Sequence, residues 1–472
     1  MISKPKVGIL TFSDGRPYTH IPQIKENEAF EARLSRALEA AGIEVVTGEL
    51  VWTNELAAAE ARKLAAAGCE ATIFNYAIWA FPQFSVMASR FAPGPILLFG
   101  QVNPSKPGMV SVLAAAGALD QIGVRYSRVF GEIEKPEVLR QVVAFARAAH
   151  AAAALKGETF GLFGGRSIGI NTAVAPTDLW AKQFAIDVEH VDQWEIVRRS
   201  QAWVGKPEVA AAQRWLESKV KRVHYDGQQL TPDKLRLQIA SYYAVKEIVQ
   251  EKKLDFCGIK GQPELTENFV TGDIAEAFMN DPYDFDGPKE PVVCSTEADM
   301  DAALTMEVFK HLAGTPVLFA DVRHYFDDID VLDLVNSGEH ATYFAAASFV
   351  PDENLARVEL KPQNFFFPAG GAAVFHVAHP GEVTLARMSR RDGKYRMHIL
   401  KAEFVRLDPT DEARRIAMVQ DNWPHAFARL GCSIDTFLQN FPANHIHGVY
   451  GDWLAELITF CRNTGVEPIV LQ

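Results

Sequence analysis

The sequence predicts an α/β protein with two tandem open parallel sheets, followed by a β-rich, barrel-like C-terminal domain. Three observations predict it. The chain has 472 residues, more than one hydrophobic core fills, which argues for about three domains. Through its first part, apolar runs of strand length alternate with helical periods, the pattern of a parallel sheet covered on both faces. From Thr342 onward the helical periods fade, and alternating runs broken by Gly and Pro take over. The first pattern is that of Rossmann/flavodoxin-like units.

Residues 1–156 form the first domain. Residues 7–12 read as a strand. Residues 28–41 read as a helix with Phe30, Leu34 and Leu38 on one face and Gly42 as the stop. Strands follow at 43–47, 71–76 and 96–99, and helices at 54–67 and 109–122. An alanine-rich helix over 137–155 closes the unit, and its helix propensity accounts for the bias. Lys156 and Gly157 mark the boundary.

Residues 157–313 form the second domain. TFGLFGGRSIGI opens it as a strand and a glycine-rich turn. GGRSIG lacks the GK[ST] of a P-loop and does not fit GxGxxG, so it is read as a tight turn carrying Arg166, with no nucleotide cofactor. Strand and helix patterns continue through 194–196, 230–251 and 256–259. The run CSTEADMDAALTMEVFKHLAGTPVLFAD, from Cys294 to Asp321, organises what comes next. Ser295 ends an apolar run and suits a helix N-cap, which puts Glu297 in the first turn, where the helix dipole favours a carboxylate. Ala302, Met306, Phe309 and Leu312 supply an apolar face, and Gly314 stops the helix.

Residues 314–472 form the β-rich domain. Residues 316–320 read as a buried strand with Asp321 just past its end, the edge at which open α/β sheets bind ligands. Strands are expected at 365–367, 373–377, 382–388 and 395–404, with a hairpin turn at Arg391, Asp392 and Gly393. Asn440 to Asp452, NFPANHIHGVYGD, reads as a loop carrying His445 and His447, which share a side if the backbone is extended. A helix over 453–461 and a strand over 468–471 end the chain.

A net charge of −12 argues against a nucleic-acid surface. Cys69, Cys257, Cys294, Cys432 and Cys461 are scattered without CxxC spacing, as in a reducing compartment, with neither disulfide frame nor zinc site. The first apolar run stops at Ser13 and Asp14, too short for a signal peptide. No run spans a membrane, and a cytoplasmic protein is expected. Two carboxylates joined by a histidine would suit Mn²⁺, with Mg²⁺ or Co²⁺ as alternatives, since no thiolate is in the set.

The chain resembles the L-fucose isomerase and L-arabinose isomerase superfamily of aldose–ketose isomerases. The resemblance is carried by DGR (Asp14, Gly15, Arg16), NYAIWAFPQ around Trp79, NPSKPGMVSVLAAAGAL, RSIGI, DVEHVDQWEIVRR and IKGQPE around Gln262. It continues in STEADMDAALTM, FADVR, GEVTLARM, NWPHAF with Trp423, and FPANH. It implies that Glu297, Asp321 and His445 are the metal ligands and that Glu297 and Asp321 are the catalytic pair. The reaction would be reversible isomerisation of a free, L-fucose- or D-arabinose-like sugar through a cis-enediol. Gln262, Asn444 and Trp423 would position the sugar, and His447 would hydrogen-bond it. His340, in NSGEHATYF, would be a fourth ligand or support the others. Arg16 and Trp79 would reach a neighbouring subunit's pocket in a homohexamer. Read without the resemblance, Arg16 caps a turn, Trp79 packs a core and Gln262 satisfies backbone. Two other functions fit the same residues. One is isomerisation of an anionic hexose such as sulfoquinovose, with Arg16, Arg166 and Lys260 available to the anion. The other is a non-catalytic sugar-binding protein.

Overall fold

The structure, a computed structural model, describes residues 4–102, 105–364 and 366–472. Asn103 and Pro104 of the NPSKPGM stretch and Phe365 of the expected strand 365–367 lie outside the described residues. The chain divides into two compact units, Met1–Ala154 with Ala455–Thr464, and Leu155–Leu454 with Gly465–Gln472.

The first unit holds β1 (Lys6–Thr11), β2 (Glu44–Thr47), β3 (Ala71–Tyr76), β4 (Ile96–Gln101) and β5 (Tyr126–Gly131). They form one parallel sheet in the order β2-β1-β3-β4-β5, the flavodoxin-like order. Every residue of β3 and β4 is buried, as expected of central strands covered on both faces. The first long helix begins at Ile24, ahead of the expected Glu28. The sequence reading passed over β5 and the helix Pro82–Ser89. As an edge strand, β5 leaves four of its six residues partly or fully exposed, Ser127 and Arg128 among them, so its apolar signal is weak.

The second unit contains another parallel sheet and a barrel. Its first strands are β6 (Thr159–Phe163), β7 (Asp187–Val191), the two-residue β8 (Arg222–Val223) and β9 (Phe256–Ile259). The small hairpin β10 (Tyr283–Asp284) and β11 (Gly287–Pro288) follows, and then β12 (Cys294–Thr296). The parallel sheet has the order β12-β9-β6-β7. After the helix Met300–Ala313 come β13 (Leu318–Phe326), β14 (Val331–Val335), β15 (Glu359–Pro362), β16 (Ala372–Phe375) and β17 (Gly381–Arg391). The chain ends through β18 (Lys394–Phe404), β19 (His425–Leu430), β20 (His445–Tyr450) and β21 (Glu467–Val470). Strands β17, β20, β13, β14, β19 and β18 pair antiparallel in that order, and β18 pairs again with β17, so the ring closes. Closure removes free sheet edges. Leu318, Leu334, Leu385, Leu400, Ala426 and Ile446 form part of its core. The expected hairpin turn is present, with Asp392 at φ +51° and Gly393 at φ +74° between the paired Arg391 and Lys394.

Several local expectations are corrected. Ser295 does not cap a helix: it pairs with Gly258 inside the parallel sheet, and sheet pairing overrides its capping preference. The cap is Asp299, whose Oδ1 accepts from the Ala302 amide at 2.9 Å, so Glu297 precedes the helix instead of lying in its first turn. Phe366 and Phe367 stand in a turn, not in a strand. The segment with His445 and His447 is no loop, because β13 and β17 pair with it on both sides. Asp321 lies within β13, opposite Val335 and His445, on an antiparallel barrel.

Near the end of the helix Met300–Ala313, His311 Nε2 lies 2.7 Å from Glu158 Oε1 and 3.2 Å from Glu307 Oε1, and Lys310 also pairs with Glu307. Burial opposes charge on His311, but the two carboxylates raise it to about 9, while burial pushes Glu158 up to about 7. A raised group stabilises the fold fully below its unfolded value and loses that contribution as pH rises through the folded one. Thermal stability is therefore expected to fall between pH 6.5 and 9, and His311→Gln should flatten that fall. Melting curves across that window check it, and an unchanged slope in the variant refutes the assignment.

Candidate active site

The site is assembled where β12 gives way to the Asp299-capped helix. Between them the chain passes through Glu297 at φ +60° and Ala298 at φ +51°. Two consecutive non-glycine residues in the left-handed region cost about 1 kcal/mol each, a strain found mainly where geometry serves a site. The Ala298 amide donates to the Ile259 carbonyl at 2.9 Å, which pins the bend. Gly258 makes room for it: a Cβ there would lie 2.4 Å from Ser295 Oγ and 3.0 Å from Ala298 Cα.

The barrel supplies the other half. Asp321 on β13 faces His445 on β20 as a direct cross-strand pair, so their side chains share a face. His445 Nε2 lies 3.1 Å from Glu297 Oε2 and 3.3 Å from Asp321 Oδ1. Its other nitrogen, Nδ1, lies 2.6 Å from Asp299 Oδ2. Gln262 Nε2 donates to Glu297 Oε1 at 2.9 Å, and Asn444 Nδ2 stands 2.9 Å from His445 Nε2. Phe319 packs against both histidines, its ring centroid 4.7 Å from that of His445 and 5.0 Å from that of His447. Glu297 and His445 are buried, while Asp321 is partly open to solvent.

Burial opposes charge on His445, but Asp299, Asp321 and Glu297 hold it well above the usual imidazole range. Burial and the Arg387 guanidinium push His447 well below that range. Burial would raise Asp299, but Arg387 and His445 overcome it and hold the carboxyl well below its usual range. Arg387 is itself buried. Its Nη2 donates to Asp299 Oδ1 at 3.0 Å and its Nη1 to His447 Nε2 at 3.2 Å, with Nη1 also 3.0 Å from Asp299 Oδ2 as an ion pair.

Of the residues singled out in the sequence, Glu297, Asp321, His445, Gln262 and Asn444 meet here, with His447 on the same strand face. His340 does not join them: it is buried against His376, with ring centroids 5.9 Å apart. Trp423 is buried too, donating to Gln363 Oε1 at 2.8 Å and stacked on Phe367. Arg16 and Trp79 belong to the first unit. Arg16 is exposed and grips Asp14 through Nε at 2.9 Å and Nη2 at 2.6 Å, and Trp79 is half-buried. Sequence reasoning missed Asp299 and Arg387. Their signals were an aspartate directly before a helical run, and an arginine in register with Val383 and Leu385 on the inward face of a strand.

Glu158, Glu307 and His311 bring three ligand-type atoms within 4.8 Å of one another. They are already paired among themselves and with Lys310.

Fold and site together define a class: an α/β protein with an appended antiparallel barrel, holding two carboxylates and an imidazole at one point. Family models of the L-fucose isomerase first N-terminal, second N-terminal and C-terminal domains match residues 4–157, 243–314 and 334–471. The chain belongs to the L-fucose isomerase family. L-fucose isomerases of Escherichia coli strains K12 / DH10B and SE11 are each 25% identical over 366 residues, covering 69% of this chain and 61% of theirs. The chain thus matches about three fifths of the length of these relatives. Among solved structures, a D-allose-bound periplasmic solute-binding protein of an ABC transporter from Actinobacillus succinogenes is 12% identical. It covers 66% of this chain and 93% of its own, with a TM-score of 0.17, too low to bear on the fold.

Proposed function

We propose that this chain is a metal-dependent aldose–ketose isomerase acting on a free, L-fucose- or D-arabinose-like sugar. The observation that carries the reading is the position of His445 Nε2, 3.1 Å from Glu297 and 3.3 Å from Asp321. Two carboxylates and one imidazole fit a hard divalent cation such as Mn²⁺, or Mg²⁺ or Co²⁺ in its place. Glu297, Asp321 and His445 would hold it. When bound, such an ion supplies Lewis acidity toward the sugar's oxygens.

The chain's own groups move the protons. One of Glu297 and Asp321 takes the proton from C2 and returns it to C1 across a cis-enediol, and the other handles the hydroxyl proton. Gln262 holds the Glu297 carboxylate by Oε1, and Oε2 faces His445 Nε2. Asn444 stands beside the same strand for the sugar's hydroxyls, whereas the buried His447 turns Nε2 to Arg387. The exposed Arg16, Tyr18 and Ile21 suit contact with a second copy, in keeping with a homohexamer that shares its sites. No described helix is long and apolar enough to cross a membrane, and a cytoplasmic enzyme is in keeping with that.

An anionic hexose such as sulfoquinovose is the second reading. Arg166 favours it, being exposed beside Ser167, whose hydroxyl donates to the Gln262 carbonyl at 3.4 Å. Lys260 and Arg16 favour it less, since Glu264 and Asp14 already pair with them.

The test is a panel of L-fucose, D-arabinose, L-arabinose and sulfoquinovose, with ketose formation followed. Turnover of one sugar is expected, lost in EDTA and regained with Mn²⁺. Turnover indifferent to EDTA would remove the metal from the reading. Sugar binding without any ketose would point to a non-catalytic binding protein.

A further inference from the structure

We infer that Asp299 is a positioning residue that fixes the proton of His445 on Nδ1, with Arg387 holding the Asp299 carboxylate in place. The inference rests on the proposed reading of His445 as a ligand. Asp299 can only accept, so its Oδ2 at 2.6 Å from Nδ1 requires a proton on that nitrogen. The opposite tautomer would set a bare nitrogen lone pair against a carboxylate oxygen in a buried site. With a proton kept on Nδ1, Nε2 is the nitrogen left to face the space between Glu297 and Asp321, where a cation would sit.

Asp299 is itself over-determined. Oδ1 accepts from the Ala302 amide at 2.9 Å and from Arg387 Nη2 at 3.0 Å, and Oδ2 meets Arg387 Nη1 at 3.0 Å. One guanidinium nitrogen hydrogen-bonds Oδ1 while the other lies against Oδ2 as an ion pair, which holds the carboxylate's position as well as its charge. Asp299, Arg387 and His445 are each at most 1% exposed, so water does not compete for these bonds. Arg387 Nη2 also donates to the Thr172 carbonyl at 3.3 Å, which ties the arrangement to the loop after β6. One carboxylate therefore caps the helix that follows Glu297, orients the imidazole opposite Asp321, and links the two through a barrel arginine. Groups of this kind typically change metal affinity by about 10–100-fold when removed.

Mn²⁺ titrated into the metal-free full-length protein by calorimetry tests this, with Asp299→Asn, His445→Asn and the double variant side by side. Asp299→Asn should weaken Mn²⁺ binding by about 10–100-fold, and the double variant should bind no more weakly than His445→Asn alone. A merely structural role would lower the melting temperature without that non-additivity. Wild-type affinity in Asp299→Asn, with affinity lost in His445→Asn, overturns the inference and leaves the metal reading standing. Losses that simply add also overturn it, since Asp299 would then act by another route. Wild-type affinity in His445→Asn overturns the metal reading itself. Should Asp299→Asn fail to fold, Arg387→Lys takes its place: charge is kept and the two-nitrogen contact is lost, so a smaller loss in the same direction is expected, and unchanged affinity refutes the arrangement.

Discussion

Glu297→Gln is expected to lower ketose formation by at least about 10³-fold while leaving the melting temperature close to that of the unchanged protein. The substitution keeps the side chain's length and shape. Gln262 Nε2 now donates to Glu297 Oε1 at 2.9 Å, and the carbonyl oxygen of the replacement can accept the same bond. What disappears is the negative charge and the ability to take a proton. A positioned general base contributes about 10²–10⁴-fold, and loss of an anionic donor to the cation adds to that. Stability should change little, because the charge removed sits among other buried acids. Glu276 is pushed well up, first by burial and then by Glu339, Asp273 and Glu297, so neutralising Glu297 relieves repulsion. Circular dichroism melting and a ketose assay with Mn²⁺ read the two halves separately. Turnover near that of the unchanged protein would remove Glu297 from the chemistry.

The placement of this carboxylate also marks where the sequence stops being readable. Apolar periodicity located the strands 71–76 and 256–259 and the C-terminal glycine stop at Gly314, because those features are local. The barrel was legible as a set of β strands, but closure was not, since it depends on β17 pairing with both β18 and β20 across long separations. The same limitation displaced the site. Ser295 and Glu297 carry a helix-start pattern, yet β9 pairs with Cys294–Thr296 and delays the helix to Met300. His445 and His447 sit among Pro, Asn and Gly, yet two neighbouring strands extend that segment. The three side chains that the resemblance singles out lie together, His445 Nε2 being 3.1 Å from Glu297 and 3.3 Å from Asp321, and spacing alone could not have placed them so. Asp299 and Arg387 escaped because their significance lies only in facing each other, 88 positions apart.

Arg387→Met is expected to cost more stability than any other single change considered, about 3–5 kcal/mol. The reason is the partner left behind. Arg387 and Asp299 are almost wholly out of water, so removing the cation leaves a carboxylate with only His445 and one amide to hold its charge. His447 also loses the donor to its Nε2. Methionine fills much of the volume, so the loss is electrostatic more than steric. A buried pair contributes little net stability as a pair, because desolvating two charges offsets their attraction, whereas half a pair is expensive. It follows that Arg387→Met with Asp299→Asn should be more stable than Arg387→Met alone, although it carries one more substitution. Chemical denaturation of the three variants measures this. A double variant less stable than Arg387→Met would mean that the arginine acts by packing β17 against its surroundings and not by compensating Asp299. If the double variant recovers stability yet binds Mn²⁺ weakly, the pair is retained for the orientation it gives His445 and not for the fold.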